Sequence, residues 1–400
     1  MLSTSKIKAD VAEVAAFILE TKNYLHTIPE LGGEEIKTSA FAKAECEKLG
    51  LTPVAITKTA FYAVLDTGKP GKTVVYRADM DALNMDEDPC DKAGNKKEFV
   101  SGHEGWCHSC GHDAHVATLL GAMKVLVKNK DELPGGKVMF LFEAGEENGA
   151  SAAECVEMLK REKPDVFWSL HYMTPTKAGE ISLNAGARTA GFGGIDFTVK
   201  GRGGHSSRPD LSVNPVIAMA AIITALQATV ALSADPSEIG VLSTCAVNGG
   251  GPAHNIIPDE SRLLASMRFF KREVGENMYA FVNGVIESTA AAYGCTVSYG
   301  PNHIISSVPV IVAEEWSKAA KEALAKVNPD MDVDAPPLSG SETLGVQYEV
   351  VPGAFALVGA GPENPADRAM HHNRNFAIVD TVMTPACELS VQYIVDVLSK

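Results

Sequence analysis

The stretch Lys137-Val138-Met139-Phe140-Leu141-Phe142, running into Glu143-Ala144-Gly145-Glu146-Glu147-Asn148-Gly149, decides the fold. Val138–Phe142 is apolar without alternation, so it reads as a strand covered on both faces rather than one with a wet side. Asp165–Leu170 repeats the pattern and ends at His171. Thr73–Arg77 is a third such run and leads into Ala78-Asp79-Met80-Asp81-Ala82-Leu83. Between these strands lie helical patterns, so the expectation is an α/β fold with a mostly parallel, covered sheet.

Outward from this core, helices are expected over about Lys6–Leu25 and Lys37–Leu49, the second stopping at Gly50. Phe61–Leu65 reads as a further strand. Asp113 is a plausible N-cap for a helix with Val116, Leu119, Leu120, Met123, Leu126 and Val127 on its apolar face. From about Gly194 the pattern changes to strand Ile195–Lys200, helix Val213–Leu232, strand Ile239–Val247, strand Arg262–Phe270, helix Glu273–Tyr293 and strand Thr296–Tyr299. That order is the βαββαβ, ferredoxin-like unit. It is expected as an inserted domain over 188–302, with 1–187 and 303–400 forming one metal-binding catalytic domain. Glu314–Lys326, Ala354–Val358 and Val382–Leu398 then read as helix, strand and closing helix.

The 400 residues suffice for two domains with full cores. A net charge of −15 argues against a nucleic-acid surface or an anionic membrane partner. No apolar run reaches the roughly 18 residues of a membrane span. The start, Met1-Leu2-Ser3-Thr4-Ser5-Lys6, shows no signal-peptide core, so a cytoplasmic location is expected. Eight cysteines are too few for a disulfide scaffold, and Cys46, Cys155, Cys245, Cys295 and Cys387 read as small core residues.

The chemistry concentrates in Trp106-Cys107-His108-Ser109-Cys110-Gly111-His112-Asp113-Ala114-His115. A thiol and an imidazole two residues apart on a glycine turn can converge on one metal ion. Cys107-x-x-Cys110 also permits a redox reading, although no thioredoxin-like βαβ context surrounds it. Further donors follow apolar strands: Asp79 and Asp81, Glu146 and Glu147, and His171. Met370-His371-His372-Asn373-Arg374-Asn375-Phe376 adds two more imidazoles. Singly, each has an ordinary structural explanation. Together, at the carboxyl ends of strands, they fit one crevice.

In order and spacing these segments resemble the aminoacylase and carboxypeptidase-like binuclear metallopeptidase family. The resemblance is strongest to its amidohydrolase branch of hippurate, auxin–amino acid conjugate and aminobenzoyl-glutamate hydrolases and acetyl-diaminopimelate deacetylase. It rests on His26-Thr27-Ile28-Pro29-Glu30-Leu31, Arg77–Leu83, Cys110–Asp113, Glu146-Glu147, Leu170-His171, Gly201-Arg202-Gly203-Gly204-His205-Ser206-Ser207-Arg208-Pro209, Asn255-Ile256-Ile257-Pro258 and His371-His372-Asn373.

The resemblance implies two divalent metal ions per subunit (manganese, zinc, cobalt or nickel) held by Cys110, His112, Glu147, His171 and His372. Cys110 would take the position that bridges them. His372 is taken over His371 because the family's ligand lies four residues before the phenylalanine, here Phe376. Glu146 would be the general base for a metal-activated water, and Asp79 would orient a ligand. The inserted domain would act as a lid that also dimerises. In it, His205 would stabilise the oxyanion at the partner's site, and Asn255 and Arg268 would hold a substrate carboxylate. The implied substrate is an N-acyl amino acid or a related conjugate, with a carboxypeptidase or dipeptidase action on short peptides as the alternative. The implied assembly is a homodimer or higher.

Three positions depart from the family pattern. Glu143-Ala144-Gly145 replaces Gln-Pro-Ala and is expected to add negative charge near Glu146. Cys107 replaces a methionine, and Ser341-Glu342-Thr343 replaces Ser-Glu-Asp.

Overall fold

A computed structural model describes residues 2–400, so Met1, the first residue of the expected catalytic domain, lies outside the described residues. The chain divides into two compact units. The first runs to Gly186 and adds Val312–Pro336 and Val346–Lys400; the second is Ala187–Ile311 with Pro337–Gly345.

The first unit is built on a seven-stranded sheet. Its strands are β1 (Val54–Ala55), β2 (Phe61–Asp66), β3 (Thr73–Asp79), β4 (Lys137–Glu143), β5 (Val166–Lys177), β6 (Ile181–Ser182) and a late strand, Gly353–Gly361. The spatial order is β1-β2-β4-β3-β5-Gly353–Gly361-β6. The central four strands are mutually parallel, and antiparallel strands flank them. Val138–Phe142 is buried throughout, as an unalternating run requires.

Helices α1 (Thr4–Thr27), α2 (Ile36–Lys48) and α3 (His112–Lys128) and the closing helix Met383–Leu398 contribute to one large apolar core with the sheet. Trp168 on β5 is fully buried, stacks on Tyr393 at 4.5 Å between centroids, and donates Nε1–H to Ser390 Oγ at 3.0 Å. Trp168→Ala removes that volume and one of the three hydrogen bonds of the Ser390 hydroxyl, which keeps Tyr76 and Ala386. It is expected to cost about 3–5 kcal/mol, read as a lowered urea midpoint.

In the second unit, strands Gly240–Asn248, Glu260–Phe269, Gly191–Lys200 and Thr296–Tyr299 pair antiparallel in that spatial order. Alternate residues of Glu260–Phe269 are buried, so one face of the sheet is covered. Helices Pro215–Leu226 and Arg272–Ala292 share its core through Met219, Ile222, Val282 and Ile286. The first of these starts where Asn214 Oδ1 accepts the Val216 N–H at 3.0 Å and Pro215 fills the first turn.

Several expectations need correction. The helix expected over Val213–Leu232 is two, Pro215–Leu226 and Thr229–Ser233. Strand Ile304–Ser307 was not anticipated; it also pairs with Gly191–Lys200. Strand β5 does not stop at His171, because parallel pairing with Gly353–Gly361 carries it to Lys177. Cys245 is exposed rather than in the core, at a register shift between Thr244 and Ala246. No helix among the described residues is long and apolar enough to cross a membrane.

Candidate metal centre

The donors assemble at the carboxyl ends of the central strands. Asp79 ends β3 and pairs in register with Glu143, which ends β4. Arg77 is level with Ser169, so His171, two residues on, stands beside Asp79. Between β3 and β4 the chain makes the Cys110 turn. There Gly111, at φ 90, supplies a left-handed conformation that a side chain would resist, and α3 starts at His112. Asp113 is therefore inside the first turn rather than its cap. Its Oδ2 meets His26 Nδ1 at 2.8 Å.

Four of the proposed ligands come from the first 171 residues and one from near the end of the chain. Cys110, His112 and His171 present donor atoms within 4.8 Å of one another, and so do Cys110, Glu147 and His372. Cys110 belongs to both sets, its Sγ 3.5 Å from His171 Nε2. His372 Nε2 lies 3.0 Å from Glu147 Oε1. His372 has φ 56, unusual for a non-glycine residue, and its N–H donates to Ser109 O at 2.9 Å, which ties it to the Cys110 turn. His371 instead donates Nε2–H to Tyr172 O at 2.8 Å.

Hydrogen bonds set which ring nitrogen faces the cluster. His171 donates Nδ1–H to Tyr172 O at 2.9 Å, leaving Nε2 as the acceptor nitrogen beside Cys110. His112 Nδ1 meets Asp81 Oδ1 at 3.1 Å, and its buried Nε2 makes no hydrogen bond among the described residues. Such an orphaned, buried ring nitrogen beside a thiol and two further imidazoles fits a divalent cation. Burial opposes charge on His112, but the Asp79 carboxylate holds its pKa well above the ordinary histidine value, so a cation would displace a proton there. Burial pushes the Cys110 thiol well above its usual range, against the partial pull of His112. Burial also holds His171 well below the ordinary histidine value, so its imidazole is neutral. A cation at this point would favour the thiolate and accept the neutral imidazole.

Behind these donors lies a layer that sequence reasoning assigned only in part. Asp79, expected to orient a ligand, lies 3.6 Å from His112 Nε2 but holds His115 Nδ1 at 2.6 Å and Arg77 Nη1 at 2.7 Å. Asp81 orients His112. The same carboxylate accepts the backbone N–H groups of Glu146 (3.1 Å) and Glu147 (3.0 Å). His115 accepts the Tyr172 N–H at 3.1 Å through Nε2 and is a neutral ring fixed in one tautomer. A signal for His115 existed: it lies three residues after His112, on the same helical face. Glu143 is completely buried, and its Oε2 accepts Arg77 Nε–H at 2.6 Å. Glu143 shares this one guanidinium with Asp79, so a single positive charge faces two buried carboxylates.

Cys107 is structural by its surroundings. Its backbone N–H and C=O both pair with Leu83, and burial raises the thiol, the reverse of what a redox nucleophile needs. All eight cysteines are free.

His26 bridges Asp113 and Glu87, at 2.8 and 3.1 Å. Burial opposes its charge, but the two carboxylates prevail and raise its pKa to about 9. This folded value lies above the ordinary one near 6.5, so the stabilisation is complete below about pH 6.5 and is lost as pH rises through 9. Urea unfolding of the parent is expected to lose roughly 2–3 kcal/mol between pH 6.5 and 9.5 from this group, and His26→Asn should flatten that slope.

The remaining predicted residues lie in the second unit. His205 is on a short strand whose partner is Ile256, next to Asn255, and its Nδ1 lies 2.8 Å from Ser207 Oγ. The Ser206 N–H donates to Asn255 O at 3.1 Å. Arg268 stacks over Phe192 with its guanidinium carbon 4.5 Å from the ring centroid, and reaches Ser341 Oγ at 3.3 Å.

A thiol-and-imidazole cradle next to a glutamate that shares its ligand neighbour's backbone support is the equipment of a metal-dependent hydrolase of amide bonds. The chain belongs to peptidase family M20/M25/M40, which matches residues 75–396. It is 32% identical to the Arabidopsis thaliana IAA-amino acid hydrolase ILR1-like 4, over 90% of this chain and 80% of that one. Identity to the N-acetyl-L-cysteine deacetylase of Bacillus subtilis is 30%, over 92% of this chain and 85% of that one. The fold is shared with the Bacillus subtilis YXEP protein, a dinuclear metal binding peptidase, at a TM-score of 0.81 and 24% identity, covering 97% and 99% of the two chains.

Proposed function

We propose that this enzyme cleaves the amide of N-acyl amino acids or related conjugates that carry a free carboxylate. Relatives of 30–32% identity that hydrolyse an IAA–amino acid conjugate or deacetylate N-acetyl-L-cysteine support this substrate class. Cys110, His112 and His171 would hold one divalent ion and Cys110, Glu147 and His372 the other, with Cys110 as the bridge. The observation that carries the assignment is that Cys110 belongs to both donor sets. Manganese, zinc, cobalt and nickel all suit this mixture of sulfur, nitrogen and oxygen donors.

When bound, the ions supply Lewis acidity, polarising the substrate carbonyl and easing deprotonation of water. Glu146 takes the proton from the attacking water and later delivers it to the leaving amine. Asp81 fixes the backbone of Glu146 and Glu147 together, so base and ligand keep one relative position. Asp79 steadies the layer beneath through His115 and Arg77.

We read the second unit as a lid that also dimerises, and its antiparallel strand order supports the ferredoxin-like part of that reading. In that reading His205 donates to the developing oxyanion at the partner's site, and Asn255 and Arg268 bind the substrate carboxylate. Arg268 keeps a planar fork suited to two oxygens, oriented by Phe192 and Ser341. The second reading, a carboxypeptidase or dipeptidase, is favoured by membership of a peptidase family.

A hydrolysis panel of acetyl-amino acids, benzoyl-glycine, aminobenzoyl-glutamate, an indole-acetyl amino acid and dipeptides, run on reduced protein with each metal, separates the two. Acyl-amino acids are expected to exceed dipeptides in kcat/KM. The reverse order would establish the peptidase reading.

A further inference from the structure

The motif His26–Leu31 was singled out in the sequence and runs on to Glu35, yet none of the chemistry above uses this segment. Its contacts give it a common theme: it touches the start of α3 beside His112, the Asp81 loop and the Glu146–Glu147 loop. His26 meets Asp113, next to His112. Glu30 O accepts the Ala82 N–H at 2.8 Å, one residue beyond Asp81. Gly32 O accepts Asn148 Nδ2–H at 2.9 Å, one residue beyond Glu147.

Glu35 makes the most pointed of these contacts. It is completely buried. One carboxylate oxygen accepts the N–H groups of Gly145 (2.6 Å) and Gly33 (2.9 Å), and the other accepts the Thr59 hydroxyl (2.8 Å). Gly145 is the hinge at which the chain turns out of β4, at φ 65, and a Cβ there would fall 2.5 Å from Ala150 Cβ. The peptide held by Glu35 is the one that precedes that rotation. Its orientation sets the direction in which Glu146 and Glu147 leave the strand.

We infer that Glu35 is a positioning residue for Glu146 and Glu147, acting through the Gly145 peptide. The inference rests on the assignment of Glu146 as base and Glu147 as ligand. A carboxylate suits the task because it only accepts, and all three neighbours donate to it. Glutamine can keep both backbone contacts with its carbonyl oxygen and meet Thr59 through its amide, so it should restore part of the function. Alanine leaves the buried Gly145 N–H and the half-buried Gly33 N–H without this acceptor, and aspartate is one methylene short of Gly145.

The test measures kcat and KM of the full metal-loaded chain in Glu35→Ala, Glu35→Asp and Glu35→Gln, with the cobalt(II) absorption spectrum of each. Alanine and aspartate are expected to lower kcat about 10- to 100-fold with KM within about twofold, and to shift the cobalt bands; glutamine should recover most of the loss. If Glu35→Ala does not fold, Glu35→Asp decides. Parental kcat and an unchanged cobalt spectrum in the folded variants would overturn the inference. Glu146→Gln, run in parallel, separates it from the reading beneath it. An inactive Glu146→Gln beside fully active Glu35 variants removes only the role of Glu35, whereas a fully active Glu146→Gln removes the base assignment.

Discussion

Glu146→Gln is expected to lower kcat by roughly 10²–10⁴-fold while the protein still binds its metal. The substitution keeps shape and hydrogen-bonding length but removes the carboxylate proposed to accept a proton from water and return it to the amine. Nothing else should move. Asp81 holds residue 146 through its backbone N–H, which the change leaves intact, and Glu147 keeps its own bond to the same carboxylate. Metal content measured on purified protein should therefore match the parent while turnover collapses. A parental rate in this variant would show that another group moves the proton.

Cys110→Ala should be comparably damaging by a different route. Because Cys110 is common to both donor sets, its loss weakens both ions at once. Losing a residue behind a ligand costs 10–100-fold in metal affinity, so losing a shared ligand should cost at least about 100-fold. The expected result is a chain that falls from two bound ions to fewer than one under dialysis, with activity lost in parallel. His171→Ala should spare the Glu147–His372 set. A Cys110→Ala protein that kept two ions would exclude the shared thiolate. In the parent, burial raises the Cys110 thiol, so binding must release its proton. Affinity is expected to fall as pH falls, read by competition with a chelator.

The parallel core was legible because buried parallel strands leave a strong signal, an apolar run without alternation. Val138–Phe142 and Thr73–Arg77 carry it plainly. Local chemistry also showed the Cys110 turn, since glycine between a thiol and an imidazole has few other uses. What escaped depends on contacts across the chain. Asp81 and Glu35 serve backbone N–H groups that lie 65 and 110 residues away, and no spacing rule reports such a bond. Asp113 read as a cap because aspartate before an apolar helix usually is one; here Gly111 opens the helix and His26 claims the carboxylate. Cys245 was misplaced because which face of an alternating strand is covered depends on its partners: it lies on the exposed side with Val241 and Ser243. Strand Ile304–Ser307 is short and lies beyond the six-element pattern, so nothing local demanded it.

The place of Gly353–Gly361 in the sheet has a consequence for how the molecule is made. This strand sits between β5 and β6, yet it is among the last segments of the chain. A ribosome therefore extrudes both neighbours long before the strand that separates them. Until then β5 presents an unpaired edge of Val166, Phe167, Trp168 and Leu170, side chains destined for the interior. The second unit, contiguous from Ala187 to Ile311 apart from the short Pro337–Gly345 segment, is synthesised in the interval and can begin to organise first. Slow elongation over the final fifty residues, or a premature stop within them, would leave that edge open to pairing with another nascent chain. Aggregation during expression, more than loss of catalysis, is the failure that C-terminal truncation should produce.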